Sequence, residues 1–593
     1  MAGACDDCDR SSADAAPPLF VKGCRTQRQF RHQDRTRRTR APYISRHESR
    51  EAWVSCSLPM SSKDVPRRPA AVRPPIDPET LDPSEEAGVG SRRVRERRST
   101  LSPDGRLTTG RLAGLSMPAA IWVLSWPVMV ESFLNSFVGL TDTALAAQIG
   151  EAETTAIGGA SYIMWFIGLI IMAVGVGATA LISRSIGRGR VGVANTVLGQ
   201  VVLLSWILGI FTGLAIAFGA PLVSRLLSLS PEAAHAFSQY IFIIACGVPA
   251  AAMLFTLIAC ARGAGDSIRP LWAMIVRNIV NIFVSWSLSG VEIYGIANPF
   301  PFDLGVIGIA AGTVAGDIAG SLIVLSMAIQ GNWGIRLRRA RLKPHWHTIR
   351  RLVRLGVPNF LETFGMWIGN FFVIVLVGSL SIASAGGQSA GESARELLGV
   401  HVVAIRIEAF SFLPGFAMGM AAATLAGQYL GAGSARLAKL AVWRCTLIAA
   451  SLMGTIGAAF FLMPEAIVRL ISSQPIHVEL APDLLRVCGV VQIPFAVAIV
   501  FRAAMRGAGD VRVVMAITWI TTYVVRLPAA FLICGADLAF RTSDGHVLTL
   551  LKNPSPLDWG LTGLWIALCG EVALRSVFFT ARYLHGGWLR IRV

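Results

Sequence analysis

Twelve times after residue 117 the chain runs apolar for about 20 residues, long enough for a helix to cross a hydrocarbon core of ~30 Å. The limits are 118–145, 158–183, 196–219, 237–261, 268–290, 305–329, 355–380, 400–426, 438–462, 482–505, 511–534 and 560–583. Lipid offers no partner to a free backbone N–H or C=O, so such segments form helices or closed barrels, and this length selects helices. Gly, Ser and Ala recur within them and allow close helix approach. Only 15% of residues are charged, against about 25% in a soluble domain. That deficit excludes a soluble enzyme with an ordinary surface. The expected fold is an all-α polytopic membrane protein.

The charges that remain are sorted by position. Lys and Arg number 54 against 36 Asp and Glu, a formal charge of +18. The even-numbered connections hold the cations: Arg184, Arg188 and Arg190; Arg262 and Arg269; then Arg336, Arg338, Arg339, Arg341, Lys343, Arg350, Arg351 and Arg354. Later ones hold Arg436, Lys439, Arg506 and Arg512. The odd connections are poor in cations and carry acids such as Glu151, Glu292 and Asp537. The positive-inside rule puts both termini in the cytoplasm, with the chain in the cytoplasmic (inner) membrane. Topology then accounts for most of the positive charge, and nucleic acid is not an expected partner.

Residues 1–110 read differently. Arginine clusters (Arg35, Arg37, Arg38, Arg40; Arg92, Arg93, Arg95, Arg97, Arg98) and scattered prolines suit a disordered basic cytoplasmic tail. The alternative is an over-long gene start, with translation beginning near Met60. No apolar segment follows a basic start as in a signal peptide. Cys5 and Cys8 form a lone CxxC without the second pair of a zinc site.

The twelve spans divide into two sets of six. Arg262-Gly-Ala-Gly-Asp266 opens the fifth span, and Arg506-Gly-Ala-Gly-Asp510 opens the eleventh, 244 positions later. Gly187 and Gly189 match Gly431 and Gly433 at the same offset, and Pro127 to Glu131 matches Pro358 to Glu362. Six spans per repeat is an even number, so both halves share one orientation about an axis along the membrane normal. The expected parts are a six-helix lobe over 112–334, a basic cytoplasmic linker over 335–357 and a second six-helix lobe over 358–593.

These landmarks resemble one family. Ser125-Trp-Pro-Val-Met-Val-Glu131 running to Asp142, the two RGAGD motifs, and Arg406-Ile-Glu408 through Pro414 to Gly433 are similar to those of multidrug and toxic compound extrusion (MATE) transporters, in the same order. The resemblance covers about residues 112–593. It implies two pseudo-symmetric lobes and efflux of cationic or amphiphilic organic compounds driven by H⁺ or Na⁺ entry, in a protein acting as a monomer with membrane lipid around it.

Ionisable residues inside spans are costly and point to function. Glu131 and Asp142 lie eleven residues apart, about three turns and ~16 Å, on nearly one face of the first helix. Burial disfavours the charged carboxylate, so such a group holds a proton that a cation can displace. Asp142 matches the family's first-helix Asp, which the resemblance implies in coupling, and Glu131 and Glu362 are its expected companions. Asn278 and Asn281 resemble the polar cluster facing that Asp. Asp317 and Glu571, each after a glycine, are expected to line the cavity, as are Phe364 and Trp367, whose rings suit an organic cation. No acid occurs in residues 487–505, which tilts the coupling ion from Na⁺ towards H⁺. Neither a Walker A motif, an HExxH nor an Asp-rich Mg²⁺ motif is present, so neither an enzyme nor a cofactor is expected, and no metal beyond Na⁺. The alternative reading is a lipid-linked oligosaccharide flippase of the same superfamily.

Overall fold

In a computed structural model of the chain, which describes residues 100–593 apart from 227–228, 293–294, 385–389, 542–546 and 592–593, ten helices are long and apolar enough to cross a membrane. Counting each of two bent helix pairs as one span gives twelve. Lobe 1 holds α1 (Met117–Ile149), α2 (Glu151–Gly187), α3 (Val191–Leu226), α4 (Pro231–Ala264), α5 (Ile268–Ser289) and α6 (Val306–Gln330). Lobe 2 begins with α7 (Trp346–Ser384), α8 (Ala390–Ser411), α9 (Leu413–Gly431), α10 (Ala435–Leu462) and the short α11 (Pro464–Ile471). It continues through α12 (Pro475–Val490), α13 (Gln492–Ala508), α14 (Val511–Trp519), α15 (Leu527–Cys534) and α16 (Gly560–His585).

The bends have chemical causes. Between α8 and α9 the chain turns by 44°, two residues before Pro414; between α12 and α13 it turns by 57°, three residues before Pro494. A proline lacks the N–H for the preceding turn and its ring clashes with the carbonyl four residues back. The expected spans 400–426 and 482–505 are therefore each broken in two. Each of the other ten lies inside its helix to within a residue, and most of those helices continue beyond it by several residues. One further departure is a π-helical stretch, Ile520–Arg526, which joins α14 to α15. Another is an antiparallel hairpin outside the spans, β1 (Leu538–Arg541) with β2 (Val547–Leu551), a small exception to the all-α expectation.

The apolar cores show how the lobes meet. At the end bearing the arginine-rich connections, Ala120, Ile121 and Leu124 of α1 pack into a lobe 2 cluster with Ala422, Leu425 and Phe501. Leu352 and Leu355 of α7, the repeat counterparts of Ile121 and Leu124, pack into the lobe 1 cluster with Ile182, Leu257 and Cys260. Each lobe thus lends the start of its first helix to the other. At the opposite end the clusters stay separate. One holds Leu145, Ile157, Phe237 and Ile309 from lobe 1, and one holds Leu376, Leu485 and Trp565 from lobe 2.

The tail expected over 1–110 lies mostly outside the described residues. Its last part is folded: Leu101 and Leu107 form a bridge, and Thr109 Oγ1 donates to Ile186 O at 2.9 Å. Leu107 and Leu112 are buried in the cluster that joins the lobes. The expected linker 335–357 is also shorter than read. Gln200 ties it down by donating to Arg341 O and Lys343 O, each at 2.9 Å, and α7 starts at Trp346. Leu112→Ala is expected to lower stability by about 2–5 kcal/mol, the usual cost of emptying a buried leucine site, read as an earlier melting transition of the purified protein in detergent.

Candidate ion-coupling site and the interface between the lobes

Each RGAGD motif ends one helix and starts the next. Gly265 and Gly509 both take φ of +93°, a left-handed turn that glycine enters without a Cβ clash. The backbone N–H of Asp266 then reaches Ala261 O at 3.0 Å, and that of Asp510 reaches Met505 O at 2.9 Å, which closes both helices alike. Asp266 accepts from the Arg269 backbone N–H at 3.1 Å and from its side chain at 2.8 Å. Asp510 instead pairs with Arg582 of α16 at 2.8 Å. These contacts give both aspartates a structural role at helix starts.

The first residue of each motif reaches into its own lobe. Arg262 of α4 pairs with Glu131 of α1. Its counterpart Arg506 of α13 pairs with Glu362 of α7 at 2.7 Å. Glu362 is fully buried and also accepts from Arg502 Nε at 2.6 Å and Thr518 Oγ1 at 3.0 Å. The same pair is therefore built twice, with a second arginine in lobe 2. Glu131 and Glu362 already hold strong cationic partners, which makes them internal struts in this state. Glu131 does not share a cluster with Asp142.

A second pair also recurs. Arg277 of α5 holds Asp317 of α6 at 2.8 Å, and Arg526, on the π-helical stretch, holds Glu571 of α16 at 2.9 Å. Glu571 takes Arg575 as well, at 2.6 Å. Arg575 further donates to Thr521 at 3.1 Å and Thr522 at 3.0 Å, residues that the π-helical turn brings inward. Asp317 and Glu571 are 4% and 1% exposed. The structure holds both in buried ion pairs.

Asp142 is different. Among the described residues it makes no ion pair within salt-bridge distance, and its Oδ1 is buried without a hydrogen-bond partner. Around it lie Arg277, Thr313, Asn281, Asp317 and Tyr240. Asn281 Nδ2 donates to Thr313 Oγ1 at 3.0 Å, leaving Asn281 Oδ1 unmatched. Asn278 accepts from Arg277 Nη1 at 3.1 Å, and its Nδ2 is unmatched. The structure thus places Asn281 beside Asp142, with Asn278 joined to the group through Arg277, and leaves two bare oxygens in the cluster. Phe364 and Trp367 lie elsewhere, at the contact between lobes. Trp367 sits 4.9 Å from Trp165 of α2, centroid to centroid, and Phe364 sits 6.0 Å from Phe166. Among the described residues no three His, Cys, Asp or Glu side chains converge as a metal site.

The arginines Arg277, Arg502, Arg526 and Arg575 were not singled out from the sequence. The signal was present, since the rule that marks a buried carboxylate applies equally to a buried guanidinium. Removing one side of a buried pair strands the other at a cost of about 3–5 kcal/mol. Glu362→Gln, which strands two arginines, is expected to destabilise in that range and more than Glu131→Gln, as compared by thermal unfolding in detergent.

The comparisons with known proteins fit this architecture. The MatE family model matches residues 127–287 and 357–532, one stretch in each lobe. The probable multidrug resistance protein NorM of Thermotoga maritima is 26% identical over 469 residues, 78% of this chain and 92% of that protein. The multidrug resistance protein PmpM of Pseudomonas aeruginosa is 24% identical over 461 residues, 76% of this chain and 90% of that protein. A solved MOP superfamily transporter from Pyrococcus furiosus shares the fold with a TM-score of 0.68 at 20% identity, over 81% of this chain and 98% of its own. The outward-facing conformation of a multidrug resistance MATE family transporter gives the same TM-score, identity and coverage. With both lobes matched, the chain belongs to the MatE family, the multi-pass membrane efflux transporters called multidrug and toxic compound extrusion proteins.

Proposed function

We propose that this protein is a secondary antiporter that exports cationic or amphiphilic organic compounds across the cytoplasmic membrane in exchange for H⁺, with Asp142 as the coupling group. The observation that carries this reading is the buried Oδ1 of Asp142, which has neither a hydrogen-bond partner nor a salt-bridging cation among the described residues. The other acids deep in lobe 1, Glu131 and Asp317, each have an arginine. A proton, or a cation in its place, supplies the partner Asp142 lacks. One site that cannot favour both occupants at once is sufficient for exchange. Na⁺ is the second candidate, and the bare oxygens of Asp142 and Asn281 are suitable donors for it. Proton coupling is favoured because Arg502 stands in the stretch of α13 where a further acid would serve a sodium ion.

Orientation follows from charge, with the arginine-rich end in the cytoplasm. The lobes share their cores at that end and keep separate cores at the other. This arrangement suits the outward-open state of an alternating-access cycle. The names of the relatives support multidrug efflux and lend nothing to the flippase alternative.

Ethidium movement in proteoliposomes tests the reading. An imposed pH gradient is expected to drive it in the wild type, and Asp142→Asn is expected to slow it by about tenfold or more. A parallel Na⁺ gradient identifies the other ion. Undiminished transport by Asp142→Asn contradicts the assignment.

A further inference from the structure

We infer that Arg184 and Gln428 form a reciprocal clasp that holds the arginine-rich ends of the two lobes shut; the transport role of the clasp rests on the alternating-access reading above. The two residues are repeat counterparts, separated by the same 244 positions as the RGAGD motifs. Arg184, near the end of α2 in lobe 1, donates from Nη2 to Ala508 O at 2.8 Å, the last residue of α13 in lobe 2. Gln428, near the end of α9 in lobe 2, donates from Nε2 to Gly263 O at 3.2 Å, in the last turn of α4 in lobe 1. Thr424 adds a third bond in the same direction, to Arg262 O at 3.1 Å. Each lobe therefore caps the RGAGD helix of the other.

The acceptors explain why the clasp sits there. The last carbonyls of a helix have no partner within it and carry the negative end of its dipole. They are open acceptors wherever a donor can reach them. Glycines provide the reach. A Cβ on Gly187 would collide with the Gln428 carbonyl, and one on its counterpart Gly431 would lie 2.5 Å from Arg184 O. A Cβ on Gly427 would collide with Ser183. The helices cross backbone to backbone, with the two donors at the crossing.

The clasp is also built to release. Arg184 is 4% exposed and Gln428 is fully buried. Yet Arg184 Nε and Gln428 Oε1 have no hydrogen-bond partner in the closed arrangement. Among the described residues Arg184 has no carboxylate within salt-bridge distance. Water restores what both atoms lack, so opening is favoured by their hydration while closure is favoured by the capping bonds. Two opposed terms of this kind give an element that can change state.

Hydrogen–deuterium exchange of the full chain in detergent micelles, with no gradient, tests this separately from transport. Arg184→Ala is expected to speed exchange at the amides of 505–510, in the opposite lobe, by about tenfold or more, and Gln428→Ala to do the same at 261–266. Arg184→Gln, which keeps a donor like that of the partner repeat, is expected to stay within about twofold of wild type. Unchanged exchange in both alanine variants overturns the clasp. So does a rise confined to the lobe that carries the substitution, or one spread over every helix, since the latter marks lost folding. The ethidium assay stands apart: its failure with wild-type protein contradicts the antiporter, and the exchange pattern decides the clasp.

Discussion

A charged side chain inside a bilayer has no water to fall back on, so it persists only where the protein supplies its partner. That constraint organises both lobes. Glu131 with Arg262 is repeated as Glu362 with Arg506, and Asp317 with Arg277 is answered by Glu571 with Arg526. Each pair ties two different helices, the first kind distant in sequence and the second consecutive, so the pairs fix the packing of a lobe as well as its charge. Against this matched background Asp142 is conspicuous, an acid whose free oxygen has been left without a partner.

The lobes differ in what remains after the shared pairs are set aside. Lobe 1 keeps Asp142. Lobe 2 keeps Arg502 and Arg575, doubled onto glutamates that already have one arginine each. Duplication has preserved the struts and let the interiors diverge. Lobe 2 is thereby pinned by its additional arginines. The lobes meet at the arginine-rich end, where α1 and α7 cross into each other's cores and each RGAGD helix is capped from across the boundary, and the proposed alternation would have to break this interface.

Much of this was legible in the sequence. Apolar run length placed ten spans inside their helices but missed most helix ends, because lipid thickness sets the length of the apolar run and the helix continues past it. The RGAGD repeat located two equivalent helix ends. The breaks at Phe412 and Val491 were not read, although Pro414 and Pro494 mark them, because apolarity runs on through each bend. The place of Asn281 beside Asp142 was legible, while the arginines that hold Glu131 and Glu362, expected as coupling companions of Asp142, were not. Arg262 and Arg506 looked like loop cations that set topology. Only the helix geometry shows these side chains turning back into the lobe. The π-helical stretch was invisible, since no residue pattern announces an inserted backbone position, and it is what aims Arg526 at Glu571.

The central claim is that Asp142 surrenders a proton when a substrate cation arrives. The most direct measurement is proton release on binding. Tetraphenylphosphonium is added to purified protein in weakly buffered detergent solution while an indicator dye follows the pH. Near neutral pH the account predicts up to about one proton released per molecule bound by wild type and none by Asp142→Asn. Full release from Asp142→Asn would contradict it.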